Sequence, residues 1–95
     1  METSKYYVYM LLCNDKTVYT GTSNNVKKRV ATHNAGKGAK YTKVRRPVQL
    51  MYTEELENKS AALKREIAIK KLTRVQKETL LKSHGINWQD YLISR

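Results

Sequence analysis

Residues 5–22 read Lys5-Tyr6-Tyr7-Val8-Tyr9-Met10-Leu11-Leu12-Cys13, then Asn14-Asp15-Lys16, then Thr17-Val18-Tyr19-Thr20-Gly21-Thr22. The first run is β-branched, aromatic and apolar, and it stops at a cluster of turn-forming residues. The second is a shorter run of the same character. Two such runs separated by about three turn residues predict an antiparallel β-hairpin. Side chains alternate along a strand, so Tyr7 and Tyr9 share one face of the first strand, and Tyr19 and Gly21 share one face of the second. The hairpin therefore presents tyrosine to a face from both strands.

Beyond the hairpin, Ser23-Asn24-Asn25 offers N-cap side chains, and Val26, Val30 and Ala31 recur at helical spacing as far as Asn34-Ala35-Gly36. This predicts a first helix over residues 25–35. Lys37-Gly38-Ala39-Lys40-Tyr41-Thr42-Lys43 has no apolar period and reads as an exposed basic loop. Pro47 opens a third strand in which Val48, Leu50 and Tyr52 alternate with Gln49, Met51 and Thr53. Asn58 or Ser60 caps a second helix whose apolar stripe contains Ala62, Leu63 and Ile67, widened by Ala61, Ala68, Ile69 and Leu72. Thr73-Arg74-Val75-Gln76 is a capping box that starts a third helix ending at Gly85. Trp88, Tyr91, Leu92 and Ile93 lie in a tail, residues 86–95, to which the pattern assigns no structure. The expectation is one domain over residues 1–95, with a core of about 5–83. Its class is α/β (α+β): a small antiparallel sheet of three strands flanked by helices, in the order β-β-α-β-α-α.

The chain has 95 residues, with 19 Lys and Arg against 8 Asp and Glu, a formal charge of +11. Between Asp15 and Glu54 there is no acidic residue, while Lys16, Lys27, Lys28, Arg29, Lys37, Lys40, Lys43, Arg45 and Arg46 all fall there. Such a surface binds phosphates by counterion release, so a polyanion, nucleic acid first, is the expected partner. An ordinary solvated helix and loop would carry the same charges, so the run alone does not decide. One cysteine, Cys13, excludes an intramolecular disulfide and a cysteine-rich zinc site. No apolar run is long enough to span a membrane, and the first residues lack the pattern of a signal peptide. A cytoplasmic location without membrane contact is expected.

Tyr7-Val8-Tyr9 and Tyr19-Thr20-Gly21 resemble the paired motifs that give the GIY-YIG nuclease family its name. Tyr9, Tyr19 and Gly21 match strictly, whereas Tyr7, Val8 and Thr20 depart from the pattern. Arg29 lies ten residues after Tyr19, His33 one turn later, and Glu66 within the second helix, each where that family places a functional residue. The basic loop and residues 63–81 look like the small stand-alone bacterial members, and the resemblance covers roughly residues 5–80. Many family members also carry an asparagine after the glutamate, where this chain offers Thr73, Gln76 or Thr79.

The resemblance implies a divalent-metal-dependent endonuclease leaving 3′-hydroxyl and 5′-phosphate ends. Hydrolysis of a phosphodiester needs an activated water, a neutralised phosphate and a stabilised leaving oxygen. Glu66 is the acidic residue available to hold Mg²⁺ or Mn²⁺, one carboxylate with several waters being a common arrangement. Arg29 offers a planar, permanently charged fork to the phosphate. Tyr9, and after it Tyr19, is the candidate general base, provided neighbouring charge lowers its pKa. His33, at i+4 from Arg29, is placed to relay a proton or bind phosphate. Lys27, Lys28, Lys37, Lys40, Lys43, Arg45 and Arg46 are the candidate contacts to the nucleic acid, DNA ahead of RNA. No second recognition domain fits in 95 residues, so specificity would come from nucleic-acid structure or from a protein partner. Each residue also has a plainer reading: Glu66 and Lys70 form an i,i+4 ion pair, and tyrosines are good strand formers. The competing function is a non-catalytic nucleic-acid-binding or adaptor module with the same fold; an acidic protein partner is a weaker one.

Overall fold

The computed structural model describes residues 5–86. Trp88, Tyr91, Leu92 and Ile93 lie outside them. Three strands, β1 (Tyr6–Leu12), β2 (Val18–Ser23) and β3 (Gln49–Leu56), form an antiparallel sheet in the order β2-β1-β3. Helix α1 (Val26–Asn34) and a single turn, α2 (Lys40–Lys43), stand between β2 and β3. Helices α3 (Lys59–Lys70) and α4 (Arg74–Lys82) follow. The expected order β-β-α-β-α-α is present, with α2 added inside the segment read as loop.

The hairpin closes on three residues. Cys13 N–H donates to Thr17 C=O and Lys16 N–H to Cys13 C=O, and Lys16 takes φ 74°, the left-handed conformation that ends a three-residue hairpin loop. Asp15 supplies the turn chemistry by accepting from the Thr17 N–H and hydroxyl.

Strand β1 is central and covered on both faces, which is why residues 8–13 are buried without interruption. Val8, Met10 and Leu12 pack with Met51, Tyr52, Ala62, Ile69 and Leu81 beneath α3 and α4. Tyr9, Leu11 and Cys13 face the other way, against Val48, Tyr19 and the Val26 and Val30 side chains of α1.

Two expectations about this packing need correction. In β3 the alternation of Val48, Leu50 and Tyr52 breaks, because Met10 pairs with Tyr52 while Leu11 pairs with Leu50. Met51 is the extra residue of a β-bulge, so Met51 and Tyr52 are both buried and Leu50 is turned outward, 39% exposed. In α3 the apolar stripe is narrower than the sequence suggests, since Ala62 and Ile69 are fully buried but Leu63 and Ile67 are 41% and 56% exposed. The turn between Ala62 and Ile69 presents Arg65 and Glu66 instead. The same helix face is therefore apolar at its ends and charged in the middle.

Local capping follows the sequence closely. Asn25, Asn58 and Thr73 cap α1, α3 and α4, the last through a complete capping box with Gln76. Helix α4 ends at Lys82 rather than Gly85, and Gly85, at φ 77°, completes the reversal as Ile86 N–H bonds to Leu81 C=O. Asn34 does more than end α1: its amide donates to Val48 C=O and its oxygen accepts from Val48 N–H, joining the helix to the start of β3.

Arg65 forms a two-point contact with Glu54, 2.6 and 3.3 Å, and the Tyr52 hydroxyl donates to the same carboxylate at 2.8 Å. Burial pushes the Glu54 carboxyl up, but the Arg65 and Tyr52 hydrogen bonds together with the Arg65 charge hold it below its ordinary value. A depressed carboxylate pKa contributes stability that is present above the unfolded-state value, near 4.5, and lost as pH falls through the folded value. Wild type should accordingly melt higher than Glu54→Gln at neutral pH. The gap in melting temperature should narrow as pH drops below about 4.5, and a gap unchanged by acid would contradict this reading of the pair.

Candidate active site

The site is assembled at the β2 side of the sheet, between α1 on the Tyr9 face and α3, which covers the other face and contacts β2. Strand β1 delivers Tyr9, β2 delivers Tyr19, α1 delivers Arg29 and His33, and α3 delivers Glu66. The Tyr9 and Tyr19 rings lie 6.4 Å apart between centroids, and the His33 ring is 5.9 Å from the first and 5.2 Å from the second. The Tyr9 hydroxyl is 2.9 Å from His33 Nε2, and His33 Nδ1 is 2.8 Å from the Thr42 hydroxyl oxygen. His33 and Thr42 are fully buried, and Tyr9 nearly so.

Two close approaches explain two glycines. A Cβ on Gly21 would stand 2.6 Å from the Tyr9 hydroxyl oxygen and 2.8 Å from its ring carbon, so the strand partner of Tyr9 has no room for a side chain. A Cβ on Gly38 would collide with Nδ1, Cε1 and Cγ of His33. Gly21 thus belongs to the site through packing, as its place in the motif suggests, and Gly38 lets the following segment run across the imidazole.

The electrostatics centre on Tyr9. Burial raises its pKa, the Arg29 guanidinium opposes that through a hydrogen bond and its charge, and the charges of Tyr19 and Glu66 add to the rise. General-base work by Tyr9 calls for a lowered value, and the direction is the reverse because desolvation outweighs Arg29. In the protein without ligand Tyr9 is protonated. Burial, reinforced by the Arg29 charge, lowers the pKa of His33 and keeps its imidazole neutral. A neutral imidazole beside a protonated phenol is an acceptor in waiting.

Glu66 lies between Ala62 and Ile69 on the buried side of α3, its side chain 16% exposed and its carboxylate 2.7 Å from Lys70 Nζ. The i,i+4 pair anticipated from spacing is therefore real, but it stands at the site, with Lys70 Nζ 6.0 Å from the Tyr19 ring centroid. Among the described residues no group of three or more His, Cys, Asp and Glu is placed to hold a metal. The donor set fits an ion held by one carboxylate and completed by water and phosphate oxygens. Thr73 and Gln76 cap α4 with each other, and the Thr79 hydroxyl donates to Val75 C=O, so these three side chains serve the helix.

Sequence reasoning missed Thr42 and Tyr41. The Tyr41 ring lies 5.9 Å from that of Tyr19 and carries the Arg45 guanidinium 3.9 Å above it, extending the aromatic array to the surface. Lys27, Lys28, Lys37, Lys40 and Lys43 are exposed. Arg45 and Arg46 are engaged by the protein: Arg45 bonds Asp15 and Tyr41 C=O, while Arg46 bonds Lys43 C=O and Asn34 C=O. Tyr7 stands apart from the tyrosine cluster. It lines a groove of about 580 Å³ on the β3 side with Leu50, Thr53, Val26, Val30 and Lys27. Val8 belongs to the core on the opposite face.

A three-stranded antiparallel sheet whose first two strands bring a pair of motif tyrosines against an Arg-and-His helix, with a glutamate from a later helix, defines a domain of the GIY-YIG class. The sequence profile described as the GIY-YIG catalytic domain matches residues 5–79, and the chain belongs to that family. It is 57% identical over 74 residues to a UPF0213 protein of Staphylococcus haemolyticus, covering 78% of this chain and 90% of the relative. A UPF0213 protein of Natronomonas pharaonis is 55% identical over 76 residues, 80% and 89% of the two chains. Among solved structures, a solution NMR structure of a protein from E. faecalis superposes with TM-score 0.60 at 44% identity, covering 90% of this chain and 92% of that one. That of a UPF0213 protein from Bacillus halodurans gives 0.54 at 41% identity, over 82% and 83%. The family implies a nuclease-type function and nucleic-acid interaction, and its nucleases are generally dependent on divalent metal. No helix among the described residues is long and apolar enough to cross a membrane.

Proposed function

We propose that this protein is a divalent-metal-dependent endonuclease that hydrolyses phosphodiester bonds in nucleic acid, DNA ahead of RNA, within the reducing cytoplasm. The observation that carries the reading is the convergence on one oxygen. The Tyr9 hydroxyl has a neutral, buried histidine nitrogen at 2.9 Å and feels both the Arg29 guanidinium and the Glu66 carboxylate. In this reading Glu66 would hold Mg²⁺ or Mn²⁺, which supplies Lewis-acid stabilisation of the phosphate and a more acidic bound water. Arg29 orients the phosphate and offsets its developing charge. Tyr9 takes the proton of the attacking water as its own passes to His33, and Tyr19 flanks Tyr9 from the β2 side. Lys27, Lys28, Lys37, Lys40 and Lys43 draw the backbone in, with Arg45 and Arg46 holding the segment that carries the last three.

The test is cleavage of labelled duplex, single-stranded and branched DNA and RNA with Mg²⁺ or Mn²⁺, against an EDTA control. Cutting that requires metal and leaves 3′-hydroxyl and 5′-phosphate ends supports the proposal. Salt-sensitive binding to every substrate with no cutting of any would replace it with a non-catalytic binding module.

A further inference from the structure

We propose that Thr42 is a positioning residue that fixes His33 as its Nδ1–H tautomer, leaving Nε2 as the standing acceptor for the Tyr9 hydroxyl proton. The inference rests on the nuclease reading for its purpose and on hydrogen-bond counting for its content.

The Thr42 hydroxyl has one proton and two neighbours. Ala39 C=O, 3.0 Å away, accepts from the Lys43 N–H and has no proton to give, so in its hydrogen bond with Thr42 the hydroxyl is the donor. His33 Nδ1 is 2.8 Å from the same oxygen, whose proton is already directed elsewhere, so here the oxygen accepts and Nδ1 carries hydrogen. A neutral imidazole has one N–H. Nε2 is then bare, and the contact at 2.9 Å is a donation from the Tyr9 hydroxyl. Each polar atom in this dry chain, from Tyr9 through His33 and Thr42 to Ala39, has one consistent role. Burial and the Arg29 charge oppose the doubly protonated ring that would reverse the last bond.

The backbone is built to this end. The single turn of α2 places Thr42 three residues after Ala39, so its hydroxyl returns over that carbonyl. Gly38 allows the segment to press against the imidazole. In the reaction the Tyr9 proton moves to Nε2 in concert with the arrival of the water proton on Tyr9, so no tyrosinate forms; negative charge developing on the phosphate offsets the cost of protonating the ring, and Nδ1–H stays on Thr42. The Tyr9 oxygen accepts a proton from water as the water oxygen bonds phosphorus, and the bond to the 3′ oxygen breaks with its electron pair. The leaving oxygen takes its proton from solvent water, and His33 then gives its Nε2 proton back through Tyr9 to solvent, restoring the starting state. Without Thr42 the ring is free to place its proton on Nε2, where it donates to Tyr9 and cannot accept.

Histidine nitrogen NMR on the full chain tests this directly, since the only other histidine, His84, serves as an internal comparison. The expected wild-type signature is a protonated Nδ1 and a bare Nε2 on His33. Thr42→Ser should keep that pattern, and Thr42→Val should shift it toward protonated Nε2. Cleavage should fall by about 10²-fold or more in Thr42→Val and stay within a few-fold of wild type in Thr42→Ser. Nε2 carrying the proton in wild type, or a pattern unchanged in Thr42→Val, would overturn the proposal. The expected pattern in a wild type that cuts no substrate supports the tautomer assignment and removes the nuclease reading alone.

Discussion

Arg29→Ala and Glu66→Ala should each lower the cleavage rate by about 10²–10³-fold, the usual cost of removing one electrostatic contributor to a developing charge, while leaving the protein folded. The charges of the two residues act on the same oxygen from different elements, and neither belongs to the apolar core clusters. Arg29 is exposed on α1, and its charge acts on both Tyr9 and His33. Its loss removes the group suited to two phosphate oxygens at once, and Arg29→Lys should recover little, because a point charge lacks the planar fork. Glu66 pairs with Lys70, whose side chain is 52% exposed and returns to water when its partner is removed. Circular dichroism and thermal melting on the same preparations separate catalysis from folding. Salt-dependent affinity for oligonucleotides should change less for Glu66→Ala than for charge reversal at Lys40 and Lys43. Folded variants that cut as fast as wild type would assign the activity to a contaminant.

Gly38→Ala should be damaging out of proportion to one methyl group. The added carbon would meet three atoms of the fully buried His33 ring, and the ring has no open space to enter because Tyr9 and Thr42 hold its two nitrogens. Overpacking of this kind costs about 1–3 kcal/mol. Relief must move either the imidazole or the α2 segment, and both carry the hydrogen-bonded chain. A displacement near 1 Å at a reacting group is enough for about a 10²-fold loss in rate. The expected result is a lower melting temperature together with a cleavage defect resembling that of Thr42→Val. Gly85, where an added carbon meets nothing within 4 Å, is a control for mutation at a glycine, with φ 77° as the source of any strain. Equal melting of Gly38→Ala and wild type would show that the segment yields without effort.

What could be read in the sequence, and what could not, divides by the range of the interaction responsible. The hairpin, the three N-caps and the capping box are decided within a few residues, and the structure contains each of them. Tyr9, Tyr19, Arg29, His33 and Glu66 stand out through the resemblance to the GIY-YIG motifs, each alone having a plainer reading, and the fold gathers them about the Tyr9 hydroxyl. The β3 bulge could not be foreseen, because a strand's own pattern does not reveal the extra residue its partner leaves unpaired. Leu63 and Ile67 fit a helical stripe equally well, and only packing against the sheet shows that the buried line runs through Arg65 and Glu66. Thr42 sits in a lysine-rich stretch with no apolar period, and its role depends on a histidine nine residues earlier. The direction of the Tyr9 pKa follows from burial, which composition does not report.

The basic segment after α1 is held at several points. Asn34 fastens its far end to Val48, Arg46 reaches back to Asn34, Arg45 bonds Asp15, and Asn14 N–H donates to Arg45 C=O. This path is a strap buckled to the hairpin turn, not a free loop. A polyanion arriving there needs to still only lysine side chains, because the backbone beneath them is already ordered. The entropy cost of organising the binding surface is met when the chain folds, leaving more of each phosphate contact to appear as affinity.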